Sequence, residues 1–328
     1  MKFTIGFETE DLKTLHEYWD SIVATHQWTE GRFTRTIKKK WSEYNGLESV
    51  SFSSWAGAAL AALEYFQLAG KTVLCPSNTF MATPLSVIKA GAAVEFVDCN
   101  RHDLCMSYAD LQAKIEAHRP AAVWVVHIGG HVAFEIEAIA ALCKKKGIVL
   151  IEDCAHAHGA SWRGKRPGSW GEAGVYSFYA TKTISTGEGG MLVTADKGLA
   201  EFARQYRNYG KPDYGVAGFN YRMSEFAAAL GCVQTDRLAE IVAWKRAYAE
   251  RHLDPRFPNR VLFPAGMESG YYKYIVFDPV ERSTGKVYDT PCHRIMKKGG
   301  DFPNTDWVAG HHWCPPLYYK GNADGDAG

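Results

Sequence analysis

Lys182 lies in a run of small and hydroxylated residues, Ser177-Phe-Tyr-Ala-Thr-Lys182-Thr-Ile-Ser-Thr-Gly187-Glu-Gly-Gly190, just after an apolar, strand-like stretch at 175–179. Upstream, Ile148-Val-Leu-Ile-Glu-Asp153 is a continuous apolar run closed by a carboxylate. That pattern reads as a buried parallel strand delivering Asp153 at its C-terminal edge. In open α/β sheets, ligands bind at that edge. An amine and a buried carboxylate converging there meet two needs of pyridoxal phosphate. The amine forms a Schiff base, and the carboxylate pairs with the pyridinium nitrogen.

The surrounding elements must hold both groups. Apolar spacing predicts a helix over 11–25, with Leu12, Leu15, Trp19, Ile22 and Val23 on one face, and a second over 33–44 ended by Asn45-Gly46. Strands are expected at 50–53, 72–75, 93–98, 121–127, 148–153, 175–179 and 190–194. Helices are expected from Trp55 onward and at 83–89, 108–118, 135–146 and 198–206. This alternation implies an α/β protein with a mostly parallel sheet covered on both faces. From 224 to 252 the pattern turns long and helical, and Asp254-Pro255 and Phe257-Pro258 break it. We expect a large domain over 1–240, including the N-terminal helices, and a smaller one over 241–328. Residues 321–328, rich in Gly and Asp, read as a floppy tail.

Composition bounds the possibilities. With 328 residues, 46% hydrophobic and 22% charged, the chain is ordinary for a globular protein with a sizeable core. A net charge of +1 argues against nucleic-acid binding, and the basic runs Lys38-Lys-Lys40 and Lys144-Lys-Lys146 read as solvated helix faces. Eight scattered cysteines without a C-x-x-C pair read as reduced thiols in a cytoplasmic enzyme. The first ten residues lack a signal pattern, and no apolar run reaches membrane-spanning length. Cys292-His293 and His311-His312-Trp-Cys314 contain zinc-ligand types, but their spacing matches no established site, so no metal is expected.

Four motifs in order, Glu152-Asp-Cys-Ala-His-Ala-His-Gly-Ala160, Ser177-Phe-Tyr-Ala-Thr-Lys182, Gly187-Glu-Gly-Gly190 and Gly218-Phe-Asn-Tyr-Arg-Met-Ser-Glu225, resemble the DegT-type sugar aminotransferases. The likeness runs from about residue 31 to about 252. It implies the aspartate-aminotransferase-like fold (type I), a three-layer large domain with a smaller C-terminal α+β domain, and pyridoxal 5'-phosphate as cofactor. By the same resemblance Lys182 forms the Schiff base and moves the proton between substrate carbon and cofactor, and Asp153 holds the ring nitrogen protonated. His156 sits near the ring oxygen, and Phe80 stacks on the ring. For the phosphate, Ala56-Gly57-Ala58 opens a helix and offers backbone amides. The family has Gly-Thr where this chain has Ala56-Gly57, so the grip falls also on Ser177 and Asn220. Relatives reach the asparagine matching Asn220 across from the other subunit, which implies a homodimer with shared sites.

The residues also admit plainer roles. Lys182 could be a loop lysine, Asp153 a cap on the turn after it, His156 structural and Phe80 a core aromatic. Three functions follow. The first is transfer of an amino group from an amino acid, L-glutamate, to a nucleotide-linked keto sugar or keto-cyclitol. The second is a sugar dehydratase of the same family, against which Lys182 speaks, because those members carry histidine there. The third is a non-catalytic regulatory homologue, which the altered phosphate loop and the short C-terminal half keep open. A dinucleotide oxidoreductase lacks its G-x-G-x-x-G after the first strand.

Overall fold

The computed structural model describes residues 6–321. Apart from Gly321, the expected tail lies outside the described residues. The first two helices, α1 (Thr9–Thr25) and α2 (Arg32–Asn45), form as their periodicity predicts. The buried stripe of α1 is narrower than expected. Leu15 and Ile22 are buried, whereas Leu12 and Val23 flank the contact and remain about half exposed.

The sheet explains itself from side-chain alternation. In chain order come β1 (Glu48–Phe52), β2 (Thr72–Pro76), β3 (Ala93–Val97), β4 (Ala122–Val126), β5 (Val149–Asp153), the two-residue β6 (Ser161–Trp162), β7 (Ala173–Ser177) and β8 (Gly190–Thr194). The seven-stranded sheet has the order β1-β8-β7-β5-β4-β2-β3. Its pairs from β7 to β3 are parallel, and β8 and β1 add antiparallel at one edge. Successive side chains enter opposite cores. Val123 and Val125 of β4 pack in one cluster, and Ala122 and Trp124 in the other. Both faces being covered, β4 is buried along its whole length.

Helices α3 (Trp55–Tyr65), α4 (Ala82–Lys89), α5 (Tyr108–His118), α6 (Ile136–Lys146) and α7 (Lys197–Tyr206) follow their strands. Their starts are set by side-chain caps. Ser54, Ser107 and Asp196 accept hydrogen bonds from the first-turn amides of α3, α5 and α7. The long α8 (Glu225–Tyr248) runs unbroken past residue 240 and ends in a π-helical turn, Ala249–Leu253. Its first residue, the buried Glu225, accepts from the amides of Gly31, Phe33 and Thr34 and so closes the orphan N-terminus of α2.

Beyond that turn, regular structure among the described residues is sparse: β9 (Met267–Glu268), α9 (Cys292–Ile295) and α10 (Pro303–Gly310). This segment docks by backbone contact. Gly270 N–H donates to Gly130 O at 2.7 Å, and Lys273 N–H to Gly129 O at 2.8 Å. The approach needs glycine. A Cβ on Gly130 (φ +115°) would stand 2.5 Å from Tyr272 N, and one on Gly270 would stand 1.8 Å from His158 O.

Candidate active site

Asp153 ends β5 at the C-terminal edge of the sheet, where its run of apolar residues delivers it. Its carboxylate is buried and oriented by three donors. The Trp55 indole N–H reaches Oδ1 at 3.2 Å, the Thr83 hydroxyl reaches Oδ2 at 2.9 Å, and Ala155 N–H reaches Oδ1 at 3.0 Å. The last of these is the turn cap that sequence allowed, so Asp153 caps its turn while also facing the site. Burial raises its pKa, against the donors and the nearby Lys182 charge.

Lys182 sits beyond β7 in a loop closed by its own N–H to Tyr179 O at 2.9 Å. Its side chain is partly buried. Burial pulls its pKa down to about 8, with Asp153 opposing and Lys273 adding to the fall. Its Nζ stands 5.0 Å from the centre of the Tyr272 ring, and Tyr272 Oη lies 3.2 Å from Thr181 Oγ1.

His156 is buried and stacked on Tyr272 at 4.2 Å between ring centres, with Tyr288 parallel at 5.7 Å. Burial, then the Lys182 and Lys273 charges, hold its pKa well below the usual histidine value. The ring is therefore neutral. Nδ1 faces the Gly129 N–H at 3.5 Å, a contact that assigns the ring proton to Nε2. Next to Asp153, Glu152 serves structure. It pairs with His127 at 2.9 Å and accepts from the amides of Gly168, Trp170 and Gly171.

The remaining expected residues fall into two groups. At the N-terminus of α3, Ala56 is exposed, while Gly57 and Ala58 are buried, with the Gly57 amide on Ser54 Oγ at 3.2 Å. Ser177, the last residue of β7, is buried and accepts from Tyr179 N–H at 3.3 Å. Phe80 and Asn220 are both exposed. Phe80 is 65% exposed, so it is no core aromatic. It precedes Thr83, whose hydroxyl holds Asp153. Asn220 lies on a loop that also exposes Tyr209, Tyr214 and Phe219. The cysteines and histidines near the C-terminus are engaged locally. Cys292 Sγ contacts Thr79 O, His293 contacts Ser77 Oγ, and His312 Nε2 accepts from Val287 N–H.

Sequence reasoning passed over Trp55, Thr83, Tyr272, Lys273 and Tyr288. Trp55 and Thr83 carried no signal beyond a helix start. Gly270-Tyr-Tyr-Lys273 did carry one, a glycine beside aromatic and basic residues, but its partner loop at Gly129-Gly130 lies far away in sequence.

A buried carboxylate, a partly buried amine of lowered pKa and a neutral imidazole thus meet at the ligand-binding edge of a parallel sheet, beside a helix N-terminus. The model of the DegT/DnrJ/EryC1/StrS aminotransferase family matches residues 10–255, and the chain belongs to that family. It is 32% identical over 229 residues to the GDP-perosamine synthase of Escherichia coli, a match spanning 68% of this chain and 62% of that protein. It is also 32% identical over 315 residues to a putative L-glutamine:3-amino-2,3-dideoxy-scyllo-inosose aminotransferase of Micromonospora echinospora, spanning 89% of this chain and 70% of that protein. Among solved structures, the aminotransferase TlmJ from Streptoalloteichus hindustanus superposes with a TM-score of 0.87 at 27% identity, covering 98% of this chain and 94% of that one. The fold is that of these aminotransferases. Among the described residues, no helix is long and apolar enough to cross a membrane.

Proposed function

We propose that this chain is a pyridoxal-phosphate-dependent aminotransferase that moves an amino group from L-glutamate to a nucleotide-linked keto sugar or keto-cyclitol. The observation that carries the reading is the convergence of a partly buried Lys182, its pKa lowered to about 8, with the buried, triply hydrogen-bonded Asp153. The residues present fit the cofactor. Asp153 offers an anion to the pyridine nitrogen, His156 an N–H at Nε2 to the ring oxygen, and Phe80 an uncovered ring face. The α3 N-terminus with Ala56, Gly57 and Ala58, together with Ser177, would hold the phosphate.

When bound, pyridoxal phosphate supplies a carbonyl for amines and a ring that takes up an electron pair. The chain does the rest. Lys182 Nζ is about half neutral near pH 8, so it can both attack a carbonyl and carry a proton to and from a substrate carbon. Trp55 and Thr83 keep Asp153 aimed. Tyr272, packed between Lys182 and His156, shields the amine from water, which maintains its lowered pKa.

The exposed aromatics around Asn220 support a homodimer in which that loop serves the partner's site. A cytoplasmic location accords with eight buried, unpaired cysteines. The test is Lys182→Ala. The wild type converts glutamate to 2-oxoglutarate in the presence of a keto-sugar acceptor, and the variant loses this conversion. Full retention of transamination by Lys182→Ala would refute the reading.

A further inference from the structure

The loop that leaves β2 carries Ser77, Asn78, Thr79 and Phe80 toward α4. Near its own strand, Ser77 N–H donates to Val97 O and Asn78 Nδ2 to Leu104 O, both at 2.9 Å. Its other ties come from α9, where His293 lies 216 residues from Ser77 in sequence. Cys292 N–H donates to Ser77 O at 2.9 Å, and the Cys292 thiol to Thr79 O at 3.1 Å. His293 Nδ1 lies 2.6 Å from Ser77 Oγ. Ser77, Thr79, Cys292 and His293 are all buried.

The His293 ring is fixed on its other sides as well. It stacks on Phe302 at 4.5 Å between ring centres, and its Nε2 stands 3.4 Å from Asp306 Oδ1 of α10. Arg294 Nε approaches the same oxygen at 2.8 Å. Helix α10 is anchored in turn. Asp98, just past β3, accepts from Asn304 N–H at 3.0 Å and from Thr305 N–H at 2.7 Å.

These contacts assign the proton. Ser77 Oγ accepts from His293 N–H at 3.4 Å, so its O–H is left to donate to Nδ1. The ring proton then sits on Nε2, facing the Asp306 carboxylate. Burial lowers the His293 pKa, with Asp306 and Asp98 opposing and Arg294 adding to the fall, which agrees with a neutral ring. The line of contacts ends at the site. Thr79 Oγ1 lies 3.2 Å from Thr83 Oγ1, and the Thr83 hydroxyl holds Asp153. Phe80 follows Thr79 directly and is exposed.

We infer that His293 is a positioning residue for the transamination site, acting through Ser77 to hold the loop 77–83 so that Phe80 and Thr83 stand where the cofactor ring and Asp153 need them. What the loop serves rests on the aminotransferase reading. The hold itself belongs to the chain without cofactor.

The test uses the full chain and three variants. His293→Phe keeps the ring on Phe302 and removes both nitrogens. Ser77→Ala cuts the same bond from the other side with a smaller change. His293→Asn places an amide oxygen near the position of Nδ1 and should restore the hold. Hydrogen exchange on cofactor-free protein, read by mass spectrometry, should show protection at 77–83 falling about tenfold in the first two variants and unchanged at 122–126. Pyridoxal phosphate should bind about three- to tenfold more weakly to both, and the two losses should not add in the double variant. The visible circular dichroism per bound cofactor should shrink in both and return in His293→Asn. Unchanged protection at 77–83 in both variants, loss spread evenly over the chain, or additive losses of affinity would overturn the inference. Lost protection at 77–83 in a protein whose wild type shows no cofactor band would fail the aminotransferase reading alone. A wild-type band, with protection and affinity both kept in the variants, would fail the positioning role alone.

Discussion

Trp55 donates its indole N–H to Asp153 Oδ1 across 3.2 Å, tying the first residue of α3 to the last of β5. The helix meant to hold the phosphate and the carboxylate meant to hold the ring nitrogen are thereby fixed to each other. Trp55→Phe removes the donor and keeps most of the packing against Trp124. A hydrogen bond to a charged group contributes about 1.5–3 kcal/mol, so the variant should bind pyridoxal phosphate about tenfold more weakly. Cofactor titration checks this, and unchanged affinity would remove Trp55 from the site.

Gly130 positions the aromatic that covers Lys182. Gly130→Ala places a Cβ 2.5 Å from Tyr272 N at a φ of +115°, which only glycine takes readily. Strain of this kind costs about 1–3 kcal/mol, and the adjustment must move Tyr272. With Tyr272 displaced, Lys182 becomes more hydrated and its pKa climbs back toward that of an ordinary lysine. Denaturant midpoints and the pH dependence of lysine modification should therefore shift together.

Capture of the cofactor by Lys182 requires the neutral amine. With its pKa near 8, the rate at which cofactor-free protein takes up pyridoxal phosphate should rise with pH and level off above about 8. An exposed lysine would show the same rise centred near 10.5. Stopped-flow absorbance across pH 6 to 10, taken as an approximate working range, separates the two cases.

Lys245 gives a stability prediction with a definite sign. Its folded pKa of about 8 lies below the reference 10.5, so between those values the unfolded chain binds more protons than the folded one. Its contribution to stability therefore grows as pH rises through that window and is smallest below pH 8. Lys245→Met removes this penalty. The variant should be more stable than wild type near pH 7, by an amount on the order of 3 kcal/mol at most, and the advantage should shrink toward pH 10.5. Comparing chemical denaturation of the two proteins at several pH values tests it. The opposite trend would show that Lys245 is paired in solution.

Much of the scaffold was legible because it rests on local pattern. The apolar runs at 122–126 and 149–153 mark strands buried on both faces, and the order of strands and helices left few arrangements other than a mostly parallel sheet. Asp153 stood out as a carboxylate closing an apolar run, and Lys182 as a lysine among small and hydroxylated residues just after one. The tie from Trp55 to Asp153 was not legible, since nothing local distinguishes it from a tryptophan packed at a helix start. The chain after residue 254 was harder still. Tyr272 and Lys273 are brought beside Lys182 by backbone docking of an irregular segment, and no periodicity encodes such contacts. The width of the α1 stripe failed for a related reason: a helix's apolar face shows what can be buried, while the neighbour decides how much of it is.

The central claim is that Lys182 and Asp153 form a working transamination site, and the absorption spectrum tests it most directly. Purified protein is mixed with pyridoxal phosphate and scanned before and after addition of glutamate. The account predicts a visible band of lysine-bound cofactor that glutamate bleaches, and no such band in Lys182→Ala. A protein that never develops the band, or whose band persists unchanged in glutamate, would contradict it.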